Sequence, residues 1–492
     1  MKFFRKPTLN FYTRKQLRLY PQEDFVTPGT LYLNAPFSQI AQKPEYPKAG
    51  VFLEAGSVLC SPASHGFGPW CAPVRGKPGK PIQQFKRGQN QCILPFTHQE
   101  AQLPGVDKTS KSALYSHQRL LEKVFHSGLS RLGLPGLPTQ MTENTLEPHQ
   151  VKHVLLSYLV CEPYQALPPY IFERDNTRIL QESLLYLGQL YPQAVFHLIF
   201  PREQKKLFSR IKAGVSATVK LVWHPFSSKY PEHYPHLLYK GIFKEKLPNY
   251  LSIVDQKTLL LDAVEVYQLW ETLAFDLPTF LQYIFLGGPS WKKNQWLRLL
   301  PGTSLAEIKK AHLDSEESLL IENSLLTGTV FSEEENQGIG FKTKALLALP
   351  HSNTREFLEF LRPGPRAHSY SRTFLSSLSP IKPRFSFDSK KHGEERACVS
   401  CGFCAQVCPA GIYPQLLYLM IQQGIFTEKL IQHGLFQCLS CNACSYVCPS
   451  KLPLASSLEK GMGELLQQGR IQLPQTEHSP LESLLKAYRG PQ

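Results

Sequence analysis

Two runs of cysteine dominate the chemistry available to this sequence. Eight of its 12 cysteines lie between residues 398 and 448, in two copies of the spacing C-x2-C-x2-C-x3-C-P. The first run contains Cys398, Cys401, Cys404 and Cys408 before Pro409, and the second contains Cys438, Cys441, Cys444 and Cys448 before Pro449. Thiolates are strong ligands of zinc, copper(I) and iron–sulfur clusters. The duplicated spacing therefore predicts two neighbouring metal centres.

The spacing also predicts which cysteines share a centre. The two-residue gaps let one tight loop place three thiolates around a cluster, while the last cysteine opens a helix in which proline fits the first turn. This is the bacterial ferredoxin run, in which the fourth cysteine ligates the cluster of the other run. We therefore expect two [4Fe–4S] clusters with exchanged ligands. The first set is Cys398, Cys401, Cys404 and Cys448, and the second is Cys438, Cys441, Cys444 and Cys408.

Other uses of these cysteines fit the sequence less well. Disulfides require an oxidising compartment, and the N-terminal region lacks the apolar core of a signal peptide. Structural zinc sites usually contain two CxxC pairs separated by a loop, whereas four cysteines come within eleven residues here. A zinc-bearing nucleic-acid binder is a rival suggested by the basic charge. Because the basic residues are spread along the whole chain, we expect no nucleic-acid partner.

Length, composition and charge predict a folded chain of several domains. Its 492 residues, 42% of them hydrophobic, allow about three domains. The 40 prolines predict long irregular connections, and the net charge of +15 favours an anionic partner such as a membrane surface. No run approaches the ~20 apolar residues that a bilayer-spanning helix needs. We therefore expect a soluble or peripheral protein.

The elements that must position the cysteines divide into seven segments, which together form a multidomain α+β protein. Residues 152–160, 195–200 and 217–223 are predicted buried strands that alternate with helices, which indicates a Rossmann-like α/β core with a parallel sheet. Helical periodicity over 414–424 and 428–433 predicts a helical module around the cysteines. The predicted segments are a basic N-terminal segment (1–24), a small β domain (25–110), the α/β core (111–280), a strand pair with a helix (281–330), a Pro-rich linker (331–396), the helical cluster-binding domain (397–470) and a tail (471–492).

A second candidate site lies in the predicted α/β core. Residues 127–139 form a Gly-rich loop, and glycines allow backbone N–H groups to approach a phosphate closely. Bulky residues and a proline without an N–H favour a structural turn here instead. Cys161 and Glu162 follow the first predicted strand, where ligand-contacting loops normally lie, although a lone cysteine is more often a buried apolar residue. The candidate cofactor-binding residues are Gly128, Gly133, Gly136 and Glu162. No Ser/His/Asp set, HExxH motif or Walker loop is present, so no catalytic residue is predicted.

The order of these pieces resembles RnfC, a component of the Rnf electron-transport complex, and its relative NqrA, a component of the sodium-translocating NADH:quinone reductase. The resemblance covers nearly the whole chain, and the cysteine runs carry most of it. The segments similar to RnfC are 161–164, 229–232 and the cysteine runs continued through 449–454. Residues 287–305 are similar to the β-grasp segment that RnfC and NqrA share. Residues 353–357, 371–374 and 392–395 look like NqrA, which ordinarily lacks the cysteines.

The resemblance implies a barrel-sandwich-like β domain, a flavin-domain-like core and a soluble ligand-binding β-grasp segment. It also implies a peripheral subunit on the cytoplasmic face of the bacterial inner membrane, docked on integral-membrane and other subunits. In the relatives the equivalent of residues 128–139 is richer in glycine and contacts flavin and NADH. Arg131, Leu134 and Pro135 depart from that pattern here, so FMN, NADH and a quinone are candidate ligands only.

The functional hypothesis is an iron–sulfur subunit that relays electrons within a membrane-bound, ion-translocating NADH:quinone oxidoreductase. The alternative is a scaffold subunit that docks the complex and uses the clusters structurally.

Overall fold

The computed structural model describes most of the chain between residues 18 and 470. The described ranges are 18–27, 29–36, 47–60, 70–86, 89–100, 103, 115–129, 150–168, 176–216, 218–249, 251–278, 280–315, 317–331, 338–340, 342–350 and 395–470. The predictions for the first 17 residues, for residues 130–149, for most of the linker and for the C-terminal tail lie outside these ranges. The described fold is mixed α/β, with several sheets and a C-terminal helical module.

The N-terminal part is built of antiparallel strands around one long strand. The strands are β1 (Glu23–Asp24), β2 (Gly29–Pro36), β3 (Val58–Cys60), β4 (Trp70–Cys71), β5 (Gly76–Pro78), β6 (Ile82–Lys86) and β7 (Gln89–His98), followed by helix α1 (His117–His126). β7 pairs with β2, β5 and β6, and β3 pairs with β4. Alternate residues of β2 and β7, such as Leu33 and Phe96, are buried on one face, as expected for a sheet covered on one side.

The central part is a four-stranded parallel sheet with helices, as the sequence predicts. Its elements are β8 (His153–Ser157), α2 (Asn176–Leu190), β9 (Val195–Pro201), α3 (Lys205–Ala213), β10 (Lys220–Phe226), α4 (Pro235–Phe243), β11 (Thr258–Asp262) and α5 (Ala263–Ala274). The strand order is β10-β9-β8-β11, and every pair is parallel. The third strand begins at Lys220, later than predicted, because the Val219 N–H closes a turn onto the Ser216 carbonyl. Strand β11 was not predicted from the sequence.

Three histidines on neighbouring strands of this sheet form a row. His153 Nδ1 lies 3.0 Å from His197 Nε2, and His197 Nδ1 lies 2.9 Å from His224 Nε2. Phe243 at the end of α4 packs against the first two rings. Burial and the two neighbouring imidazoles lower the pKa of His197 to about 3. His197 is therefore neutral in the folded protein at physiological pH.

A six-stranded mixed sheet follows in the chain. Its elements are β12 (Gln282–Gly287), β13 (Gln295–Leu299), α6 (Leu305–His312), β14 (Ser318–Glu322), β15 (Thr329–Val330) and β16 (Ala345–Pro350), in the strand order β1-β13-β12-β16-β14-β15. The predicted strand pair and helix are β12, β13 and α6. A buried ion pair connects the sheet to the α/β core, because Arg298 Nε of β13 donates to Glu271 Oε1 of α5 at 3.0 Å.

This sheet extends beyond the predicted segment 281–330 at both ends. β16 lies within the predicted linker 331–396, yet it pairs with β12 and β14 and five of its six residues are buried. β1 lies within the predicted basic segment 1–24, yet it pairs with β13. The linker prediction is therefore wrong at 345–350. The strand was not predicted because its apolar run is short and lies within a polar, Pro-rich segment.

The C-terminal module is helical, as its periodicity predicts. Its helices are α7 (Phe403–Val407), α8 (Pro414–Gln422), α9 (Glu428–Gln432), α10 (Ala443–Tyr446) and α11 (Leu454–Gln467). α8 packs against α11 through buried residues that include Leu417 and Leu458. Gly424 and Gly434 both have positive φ and follow helices, so they are the predicted helix stops. Within the described ranges, no helix has the length and apolarity that crossing a bilayer requires.

Candidate metal centres

Two cavities lie in the helical module, and four cysteines line each of them. Cavity 1 has a volume of about 320 Å³ including its open mouth, and cavity 2 has about 330 Å³. The cysteines of cavity 1 are Cys398, Cys401, Cys404 and Cys448. The cysteines of cavity 2 are Cys408, Cys438, Cys441 and Cys444. The structure therefore brings together the two sets that the sequence predicts, including the exchange of the fourth cysteine between the runs.

Both cysteine loops use the same backbone conformation. Ser400 and Gly402 have φ values of 52° and 75°, and Ser440 and Asn442 at the equivalent positions have 52° and 57°. Glycine and asparagine adopt this left-handed conformation more readily than other residues. The short helices α7 and α10 begin directly after these residues, and they pack against each other. The two runs thus form a structural repeat in which each loop wraps one cavity.

The positions of the fourth cysteines follow from this repeat. Cys408 comes after α7 and packs with Cys438 of the other run, while Cys448 comes after α10 and packs with Cys404. Gly411, with a φ of 76°, turns the chain from Cys408 into α8. Because the short helix that contains the third cysteine ends before the fourth and carries the chain away from its own loop, each fourth sulfur lies at the neighbouring cavity.

Burial raises the pKa of five of the eight cysteine thiols above its usual value. Desolvation raises the pKa of Cys404 to about 11 and that of Cys441 to about 12, and neighbouring thiols add to the shift. Backbone N–H groups oppose the shift, as at Cys438, whose sulfur accepts from the Ser440 N–H at 3.4 Å. N–H donors aimed at sulfur suit a thiolate ligand, and metal binding displaces the thiol protons. The donor chemistry of both cavities therefore fits iron–sulfur clusters.

Across the described parts of the chain, no three His, Cys, Asp or Glu side chains are arranged to hold a single metal ion. Apart from the cysteine sulfurs, most of the lining is apolar, with Ile412 and Leu458 at cavity 2 and Leu452 and Leu454 at cavity 1.

Cavity 2 faces the rest of the protein. Cys441 packs with Cys161 and Tyr230 of the α/β core, and the Tyr230 hydroxyl donates to the Cys441 carbonyl. Asn442 Nδ2 donates to the Leu326 carbonyl at 2.8 Å, and the Asn249 N–H donates to the Phe436 carbonyl at 2.8 Å. These contacts hold the second cysteine loop against the core and the β12–β16 sheet.

Cavity 1 lies nearer the outer surface of the module. Val399 in its loop is 66% exposed. Cys398 and Cys401 are more exposed than the cysteines of cavity 2, all of which are buried. The two cavities therefore differ in their surroundings, with one against the core and one toward solvent.

The candidate cofactor residues of the α/β core are held by local contacts. Glu162 is buried, accepts from Ser324 Oγ at 2.9 Å and lies 3.4 Å from His233 Nε2. Gly128 follows α1 with a φ of 75°, beside the ring of Phe280. Gly133 and Gly136, like Arg131, Leu134 and Pro135, lie outside the described residues. Flavin or nicotinamide binding by these residues stays a prediction.

Two residues that contact the cavity cysteines were not predicted from the sequence. Tyr230 belongs to a segment noted for its resemblance to RnfC, but its contact with Cys441 joins residues 211 positions apart. Gln415 contacts Cys404 across the turn at Gly411. The one signal for Gln415 in the sequence was its place directly after Pro414, at the start of a predicted helix close to the first run.

Comparison with protein families supports the iron–sulfur interpretation of this module. Residues 397–453 match the family model described as a 4Fe-4S dicluster domain. The match covers both cysteine runs. The module therefore has the features of an iron–sulfur domain.

Curated relatives include the NqrA component of Na(+)-translocating NADH-quinone reductase from several bacteria. The chain is 33% identical over 139 residues to NqrA of Hahella chejuensis, and the match covers 28% of this chain and 31% of that protein. It is 34% identical over 149 residues to NqrA of Pseudomonas aeruginosa, covering 30% of this chain and 33% of that protein. The chain thus spans about a third of the length of these relatives.

Solved structures include a distant neighbour, a chain of the NAD+-reducing [NiFe]-hydrogenase in the air-oxidized state. It is 12% identical with a TM-score of 0.40, and the alignment covers 77% of this chain and 67% of that chain. The module at 397–453 is thus similar to a 4Fe-4S dicluster domain, and the chain is similar in part to the NqrA component of Na(+)-translocating NADH-quinone reductase.

Proposed function

We propose that this protein is a peripheral electron-transfer subunit of a membrane-bound, ion-translocating NADH:quinone oxidoreductase of the Nqr/Rnf type, and that it holds two [4Fe–4S] clusters. The observation that carries the proposal is the presence of two cavities, each lined by three cysteines of one run and the fourth of the other. When bound, each cluster supplies reversible one-electron transfer. The cysteines would ligate the cluster, and the apolar walls and backbone N–H groups would set its reduction potential.

The placement of the cavities supports a relay. Pro414 lines cavity 2 and Gln415 lines cavity 1, so consecutive residues of one helix separate the two sites. Cavity 2 lies against the α/β core and cavity 1 lies toward the surface, so the pair would connect the core with a partner outside the module.

Membership in a membrane complex rests on the partial relatives and on charge. The relatives are named as subunits of a quinone reductase. The chain's net charge of +15 suits an anionic leaflet, which attracts well-placed Lys or Arg at about 1 kcal/mol each. The cytoplasmic face of the bacterial inner membrane, the integral-membrane partners, and FMN, NADH or quinone as ligands belong to this proposal.

Anaerobic purification with iron, sulfide and flavin analysis tests the proposal. We expect about eight iron and eight sulfide per chain, a broad absorption near ~400 nm and two reducible signals by electron paramagnetic resonance (EPR), as two cubanes require. Cys401→Ser is expected to remove or alter one centre, whereas Cys71→Ser, outside the module, should leave both intact. Colourless protein with stoichiometric zinc would refute the proposal. Stoichiometric FMN would show that the loop after α1 binds flavin.

A scaffold role is the second candidate, and the contacts of the second cysteine loop with the core favour it. The Tyr230–Cys441 and Asn442–Leu326 hydrogen bonds join three parts of the chain. In a scaffold, Cys401→Ser would impair assembly of the complex. In a relay, the same variant would assemble normally and fail to transfer electrons.

A further inference from the structure

The first turn of α8 contacts the two cavities through different residues. Pro414 lines cavity 2, and Gln415, the next residue, lines cavity 1. The first N–H groups of a helix have no partner within the helix. Pro414 has no N–H to offer cavity 2, whereas the main-chain N–H of Gln415 lies near the sulfur of Cys404 in cavity 1.

Gln415 also reaches the same sulfur with its side chain. Cys404 Sγ and Gln415 Oε1 are 2.9 Å apart, with the thiol as donor. A thiolate ligand has no proton to donate and only accepts hydrogen bonds. Rotating the amide by half a turn exchanges its oxygen and nitrogen. With a metal bound, the same side chain would therefore present Nε2–H to the Cys404 sulfur.

The sulfurs of cavity 2 receive their hydrogen bonds from the main chain. Cys438 accepts from the Ser440 N–H at 3.4 Å, and the N–H groups of Ala410, Gly411 and Ile412 lie near the Cys408 sulfur. Main-chain donors are fixed by the loop. With a thiolate at Cys404, the amide of Gln415 would be a donor to cavity 1 that depends on the identity of one side chain.

We propose that Gln415 raises the reduction potential of the centre in cavity 1 by donating its side-chain amide to the Cys404 thiolate. This inference rests on the proposed function. Adding an electron makes the cluster more negative, so a donor on its sulfur stabilises the reduced state more than the oxidised state. The centre in cavity 1, which lies toward solvent, would therefore be reduced more readily, and a partner would take the electron from it.

An EPR-monitored redox titration of the cluster-loaded full chain tests this assignment. Gln415→Met keeps the length of the side chain and removes the amide, and Gln415→Glu keeps the shape and places a carboxylate beside the cluster. We expect Gln415→Met to lower the ratio of reduced to oxidised cluster in cavity 1 about tenfold at a fixed potential, which is about 59 mV for one electron. Gln415→Glu should lower it further.

The two signals are assigned to their cavities by Cys398→Ser and Cys438→Ser. Gln422→Leu is the matched control, because Gln422 is the exposed last residue of the same helix, about 10 Å along the axis. It should leave both midpoints unchanged.

The outcomes separate the proposed function from the role of Gln415. Wild-type protein that loads no iron would refute the proposed function itself. Wild-type protein with two clusters, in which Gln415→Met and Gln415→Glu leave the cavity 1 midpoint unchanged, would refute only the role of Gln415. Equal shifts of both midpoints would also refute it. If Gln415→Met loads poorly, the midpoints of Gln415→Glu alone decide.

Discussion

Replacing Tyr230 by phenylalanine should loosen the second cysteine loop. Tyr230 is fully buried, and its hydroxyl donates to the carbonyl of Cys441, which is itself only 7% exposed. The variant removes the donor without removing the ring, so packing is kept. Removing the partner of a buried polar group costs about 1–3 kcal/mol. We therefore expect the second loop to open more often.

Hydrogen exchange measures this opening. The N–H groups of Tyr446 and Val447 in and just after α10 are bonded to the carbonyls of Asn442 and Ala443. A loss of about 1–3 kcal/mol corresponds to about 5- to 150-fold faster exchange if these groups exchange by local opening. Tyr230→Phe should accelerate both amides.

Tyr115→Phe is the matched control for this measurement. The Tyr115 hydroxyl donates to the Leu273 carbonyl at 3.0 Å, within the α/β part of the chain. That variant removes a similar bond and should leave the exchange of α10 unchanged. If α10 exchanges at the wild-type rate in Tyr230→Phe, the hydroxyl does not hold the module to the core.

Two further predictions concern the stability of the rest of the fold. Arg298→Met should lower the free energy of unfolding by about 3–5 kcal/mol, since it leaves the buried Glu271 carboxylate without its guanidinium. Adding Glu271→Gln should recover part of this loss, as measured by denaturant unfolding. Full additivity of the two changes would contradict the pairing. His197 has a pKa of about 3 in the folded protein against an ordinary value of 6.5. As the pH drops, the unfolded chain therefore binds a proton at this residue at a higher pH than the folded protein does. Stability should fall as the pH drops from about 6.5 toward 3. Melting temperatures measured across this range should depend less on pH in His197→Gln, and an unchanged slope would contradict this assignment.

The features set by local sequence were predictable. The cysteine sets followed from spacing, although the fourth cysteine of each run follows the end of a short helix and does not open one as predicted. The helices over 414–424 and 428–433 followed from their apolar periodicity, and Gly424 and Gly434 have the positive φ that ends them. The parallel sheet followed from apolar runs alternating with helices.

The features set by distant pairing were not predictable from one sequence. β1 is two residues long and is defined by pairing with β13, more than 270 positions later. β16 is a six-residue apolar run whose burial depends on β12 and β14 lying on either side of it. The contact between Gln415 and Cys404 likewise depends on the turn at Gly411, and the identities of these two residues do not determine the direction of that turn.

Under the proposed function, the exchange of fourth cysteines sets an order for maturation. During synthesis, Cys408 leaves the ribosome before any of its cavity partners, and cavity 2 has its full set of sulfurs once Cys444 has emerged. Cavity 1 must wait for Cys448, although its first three cysteines are the earliest of the eight. A nascent chain stalled between the two runs would therefore offer the cell's iron-delivery machinery only incomplete sites, and a truncation early in the second run would disable both centres together.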